Sequence, residues 1–121
     1  MDSEKPVRAL HKSIALAHVD GDAQLLCELA SMFVQDYPRL IQEASSALLQ
    51  SNHSTLERAA HTLKGRLAFF GVLKLREEVS SLEAMGREND LTRARKALDD
   101  IENGMESILP EFESLIRELG S

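Results

Sequence analysis

The chain has 121 residues, with 20 acidic against 14 basic side chains and a formal net charge of −6, a balance that argues against general nucleic-acid binding. Hydrophobic residues make up 43% of it, enough for one core, while aromatics are only 4%, Trp is absent and Gly and Pro are few, a mix that favours helix over strand. Cys27 is the single cysteine, which excludes an internal disulfide and fits a reducing, cytoplasmic setting; no apolar run reaches the roughly 18 residues of a membrane span, and the polar start Met1-Asp2-Ser3-Glu4-Lys5-Pro6 lacks the apolar core of a signal peptide. One acidic, soluble, all-α domain over residues 1–121 is expected.

In chain order, a short first helix is expected from about Val7 to Ala17, with Val7, Leu10 and Ile14 on one side. His18-Val19-Asp20-Gly21 reads as a turn, and Asp22 as the N-cap of a second helix. That helix carries Leu25, Leu29, Met32, Phe33, Tyr37, Leu40, Ile41, Ala44 and Leu48 at helical spacing, with Pro38 predicting a kink or short break. After the polar turn Ser51-Asn52-His53, Ser54 and Glu57 form an S-x-x-E capping box for a third helix, about Thr55 to Phe70, which Gly71 stops. The fourth helix has Val72, Leu75, Val79 and Leu82 on one stripe and ends around Gly86-Arg87-Glu88-Asn89. Asp90 can cap the fifth, whose Leu91, Ala94, Leu98, Ile101, Met105, Ile108, Phe112, Leu115 and Leu119 form a bundle seam that Gly104 and Pro110 are expected to bend. Short connections make neighbours antiparallel, so the architecture is an up-down four-helix bundle with a small N-terminal helix closing one end.

The third helix carries the chemistry. At about 100° per residue, Leu56, Ala59, Leu63, Leu67 and Phe70 fall opposite His61, so His61 points away from the core. Gly65 and Ala68 share its stripe and Lys64 flanks it. A mid-helix glycine costs about 1 kcal/mol relative to alanine, yet Gly65 stands one turn past the histidine, where it opens space for a bulky partner. A neutral imidazole has a free ring nitrogen that can act as nucleophile, and Lys64 offers a cation suited to a phosphoryl group. From Arg58 to Arg76 the only charged residues are Arg58, Lys64, Arg66, Lys74 and Arg76; they form either a docking region for an acidic partner or a plain solvated face. Glu83 follows Gly71 by about as many residues as His61 precedes it. In antiparallel helices the two share a height, and Glu83 either accepts a hydrogen bond from His61 and fixes its tautomer or, with the helix rotated, faces solvent.

The blander readings stand beside these. His11, His18 and His53 read as structural, with His18 and His53 in turns and no metal-ligand spacing, and Cys27 as a small buried apolar residue. Phe69 sits at the rim of the His61 face, as core or as the centre of an interface. No paired E-x-x-H motif points to a di-metal bundle enzyme.

Ala60-His61-Thr62-Leu63-Lys64-Gly65, then Gly71, Leu75 and Leu82-Glu83, resembles the histidine-phosphotransfer (HPt) domains of multistep phosphorelays, whose signature is A-H-x-L-K-G, a second glycine six residues on and a later L-E pair. Gly21-Asp22, Phe33 and Pro38 look like the same family, and the resemblance covers roughly residues 10–119. It implies that His61 accepts and donates the phosphoryl group, Lys64 helps hold it, and Gly65 keeps the surface open. It further implies a module that is not itself an enzyme, binds no cofactor or metal, and relies on the Mg²⁺ and aspartate of a partner response-regulator receiver. A hybrid sensor histidine kinase is another possible partner, and no membrane insertion and a monomer are expected. Arg58, Arg66, Ala68 and Phe69 are the expected partner-binding residues. The family usually has small residues after the Lys-Gly pair. Here Arg66 and Leu67 stand there, and Arg66 either covers apolar area with its stem or touches the receiver. Two alternatives stay open: a phosphoacceptor loaded directly by a chemotaxis-type kinase, and a helical adaptor that is not phosphorylated.

Overall fold

In the computed structural model, which describes residues 9–120, the helices are α1 Lys12–His18, α2 Ala23–Leu49, α3 His53–Phe69, α4 Leu73–Arg87 and α5 Ala94–Gly120, with no strand among the described residues. Val7 lies outside the described residues. Leu10 is buried just ahead of α1, and its N–H donates to the Glu111 carboxylate at 2.9 Å.

Helix ends follow local chemistry. The Asp22 side chain caps α2 by accepting from the Leu25 N–H at 3.0 Å. The cap of α3 is Asn52, accepting from the Thr55 N–H at 3.2 Å, so the Ser54–Glu57 capping box does not form; the Ser54 hydroxyl donates to Asn52 instead. α3 stops at Gly71, whose φ of 70° lets its N–H reach Ala68 O at 3.1 Å and the Val72 N–H reach Leu67 O at 2.9 Å. A Cβ at Gly71 would also fall 2.8 Å from the His11 Cβ. Asp20, Ser51 and Asn89, each at positive φ, close α1, α2 and α4 by the same bond pattern. Asp90 caps nothing: it accepts from the Thr92 hydroxyl at 2.8 Å, and α5 begins later, at Ala94.

Pro38 and Pro110 sit inside unbroken helices. Each removes one donor, but each is exposed while its neighbours anchor the helix in the core. The α5 seam is buried from Ala94 through Leu115 at every expected position. On α2 the buried stripe includes Leu26 and Ala30, whereas Leu25 and Met32 face solvent.

The helices form a square in which α2 packs on α3 and α5, and α4 packs on α3 and α5. Cross-contacts set the directions. The end of α4 meets the start of α3, where a Cβ on Gly86 would fall 2.8 Å from Glu57 N. The start of α2 meets the end of α5, Cys27 Sγ lying 3.6 Å from Ile116 O, and its far end meets the start of α5 through Arg95 and Ser45. Neighbours are therefore antiparallel. Phe33, Phe70 and Phe112 cluster in the core with centroids 5.1–5.5 Å apart. α1 closes that end, with the His11 N–H on Phe70 O and the His11 ring nitrogen Nδ1 2.6 Å from Gly71 O.

Candidate functional site

The wheel for α3 matches its burial: Leu56, Ala59, Leu63, Leu67 and Phe70 are in the core, and the His61 side chain is 69% exposed. Glu83 arrives from α4 as the one buried charged residue among those described, its side chain 8% exposed. One carboxylate oxygen lies 2.7 Å from His61 Nδ1 and the other 2.5 Å from Lys64 Nζ. A single carboxylate thus ties both side chains to α4. Burial pushes the Glu83 carboxyl up, but the hydrogen bonds from Lys64 and His61 outweigh this and hold it below its ordinary value. Glu83 is therefore ionised at neutral pH and can only accept, so the proton it bonds sits on His61 Nδ1. In the neutral ring the lone pair is then on Nε2, which makes no hydrogen bond among the described residues.

A Cβ built on Gly65 meets nothing within 4 Å, so the glycine lies open beside this ring. It is also one wall of a groove of about 820 Å³ between α2 and α3, lined by Leu29, Met32, Phe33, Asp36, Arg66 and Phe69 among others. The exposed Met32 and half-buried Leu29 and Phe69 give this groove an apolar floor, with Gly65, one turn past the histidine, in its wall.

The basic stretch is less uniform than its sequence. Lys64 is engaged by Glu83, Arg66 pairs with Asp36 of α2, and Arg76 pairs with Glu77. Arg58 and Lys74 are exposed and make no ion pair among the described residues. Ala68 is half-buried. Phe69 is half-buried too, and stacks on His18 with centroids 4.9 Å apart while its carbonyl lies 2.9 Å from His18 Nδ1. His18 closes α1 and His53 opens α3, so neither lies in a turn; His53 Nδ1 is 3.1 Å from Gly86 O. Cys27 is half-buried rather than enclosed. Among the described residues no group of three or more His, Cys, Asp or Glu is placed to hold a metal ion, and no helix is long and apolar enough to cross a membrane.

Of the groove lining, sequence reasoning missed Asp36 and placed Leu29 and Met32 only in the apolar stripe of α2. Asp36 precedes the Ser51-Asn52 turn by about as much as Arg66 follows it, the same symmetry that pairs Glu83 with His61.

Residues 28–118 match the family model described as Hpt domain. No curated protein matches the chain. Two solved structures share the fold. Histidine-containing phosphotransfer protein B from Pseudomonas aeruginosa PAO1 is 20% identical, with a TM-score of 0.84 over 93% of this chain and 97% of that one. The HPT domain of a sensor hybrid histidine kinase from Shewanella is 15% identical, with a TM-score of 0.78 over the same shares.

Proposed function

Because this chain belongs to the Hpt family and is thus a phosphotransfer module of phosphorelays, we propose that His61 is the residue that carries the phosphoryl group. Hpt domains are carriers rather than catalysts, and they work with receiver domains and hybrid kinases. The observation that carries the assignment is the pairing of an exposed ring with a buried carboxylate. With Nδ1 protonated against Glu83, Nε2 is the nucleophile, on an exposed ring one helical turn from the open Gly65.

The step balances without an added base. Nε2 attacks the phosphorus of a receiver aspartyl phosphate, a P–N bond forms, and the P–O bond breaks with its electron pair returning to the aspartate carboxylate. The ring keeps its Nδ1 proton and becomes cationic, and Glu83 stabilises that charge at 2.7 Å. The reverse step needs the same atoms. Lys64 supplies a positive charge for the phosphoryl oxygens, for which it must turn partly away from Glu83. Mg²⁺ and the acidic residues that bind it belong to the receiver. The groove floor of Leu29, Met32 and Phe69, with Arg66 in its wall, is the docking surface, extended by Arg58 and Ala68 of the same helix α3. The module acts in the cytoplasm as a monomer, a reading supported by the single core that its five helices bury within the chain.

The test is transfer from a phosphorylated receiver with Mg²⁺, followed by intact mass. The wild type gains an acid-labile, alkali-stable phosphoryl group, and His61→Gln gains none while keeping its helicity and melting temperature. Label on the variant overturns the assignment.

A further inference from the structure

Asp36 holds two arginines in different ways. Arg39, one turn along α2, uses both carboxylate oxygens, with Nε to Oδ1 at 2.9 Å and Nη2 to Oδ2 at 3.1 Å, and also bonds Glu43. Arg66 reaches Asp36 from α3 through Nη1 alone, and has no other acceptor among the described residues. The two side chains are 39% and 33% exposed. Arg66 can therefore leave without stranding a buried charge, since Asp36 keeps its bidentate partner. The exchange is also cheap, because half-exposed ion pairs contribute little.

Its position gives that exchange a use. Arg66 follows Gly65 directly, and both line the groove with Asp36 and Phe69. A partner seated over His61 meets the guanidinium at the groove rim. A freed guanidinium seeks a planar, bidentate acceptor. The family pattern, with a small residue after the Lys-Gly pair, has no such group here.

Building on the phosphotransfer reading above, we propose that Arg66 is a specificity-determining residue: it exchanges Asp36 for a carboxylate on the docking face of those receivers that carry one there, and so favours them as partners.

The probe is a receiver domain that exchanges phosphoryl groups with the wild-type chain, together with versions in which each Asp or Glu of its docking face is changed to Asn or Gln. Arg66→Ala lowers the second-order transfer rate constant by about fivefold, the scale of one exposed ion pair. Asp36→Asn raises it, because Arg66 is released, and the rise vanishes in the Arg66→Ala background. One receiver variant loses rate with wild type and loses none with Arg66→Ala. A brace that merely joins α2 to α3 gives none of this: both variants would lower the melting temperature and leave partner preference alone. An unchanged rate for Arg66→Ala, or no rise for Asp36→Asn, overturns the proposal while leaving His61 as acceptor. A wild type that takes no label from any receiver contradicts the underlying reading as well.

Discussion

The Glu83 carboxylate lies 2.7 Å from Nδ1 of His61, bridging α4 to α3 from a nearly enclosed position beneath an exposed ring. Removing the acceptor frees the ring to rotate and to change tautomer. Transfer rates are expected to fall in the order wild type, Glu83→Gln, Glu83→Ala, the last by about tenfold for one lost charge-assisted bond. Gln retains an acceptor for Nδ1–H, so its partial rescue separates positioning from bulk stability. Equal losses in both variants would remove the positioning role.

The same carboxylate sets an acid limit. Its folded value lies below the ordinary 4.5. A depressed acid stabilises the fold above its unfolded value and loses that contribution as pH falls through the folded value. The stability gap between wild type and Glu83→Gln should therefore narrow as pH drops below about 4.5. Denaturant titrations at several pH values measure it; a gap that widens on acidification contradicts the depressed value.

Asp36 gives a sharper window. The hydrogen bonds from Arg39 and then Arg66 lower its carboxyl to about 2 from 3.8. Its ion pairs therefore persist through mild acid and are lost only as pH falls through that lower value. Carboxyl NMR titration should find Asp36 among the most acidic side chains, and Arg39→Ala should raise it more than Arg66→Ala. A midpoint near 3.8 in the wild type would contradict the two-arginine grip.

Gly65 and Gly86 should respond in opposite senses. Gly65→Ala places a methyl group in open space and should stabilise the helix by about 1 kcal/mol. A longer side chain, Gly65→Gln, should obstruct receiver docking and slow transfer without loss of stability. Gly86→Ala puts its methyl 2.8 Å from Glu57 N, a backbone atom, and should cost about 1–3 kcal/mol. Thermal melts and transfer rates on the three variants check both statements.

Lys64→Ala leaves a buried Glu83 with only its histidine partner. It should slow transfer and also lower stability, by about 1–3 kcal/mol for an under-satisfied buried group. Unchanged melting would mean that water replaces the lysine.

Much of this was legible in the sequence because its signals were local. The α5 seam, the Asp22 cap, the Gly71 stop and the outward turn of His61 all follow from periodicity or cap chemistry over a few residues. Three features depended on how the chain meets itself. Ser54 and Asn52 are both good caps. The choice fell to Asn52 because its N–H already closes α2 on Ala47 O, so α3 starts at once. Met32 shares the hydrophobic spacing of α2 yet is 62% exposed, because α2 is covered only where α3 and α5 reach it. The uniformly basic look of residues 58–76 dissolves once Asp36 and Glu83 arrive from other helices.

The most direct measurement of the central claim is heteronuclear NMR of the domain, isotopically labelled on the histidine ring nitrogens and phosphorylated by a receiver with Mg²⁺. The geometry predicts one phosphorus–nitrogen coupling, to Nε2 of His61, with Nδ1 still protonated and shifted by Glu83. A phosphoryl group on Nδ1 of His61, or on His11, His18 or His53, would contradict it.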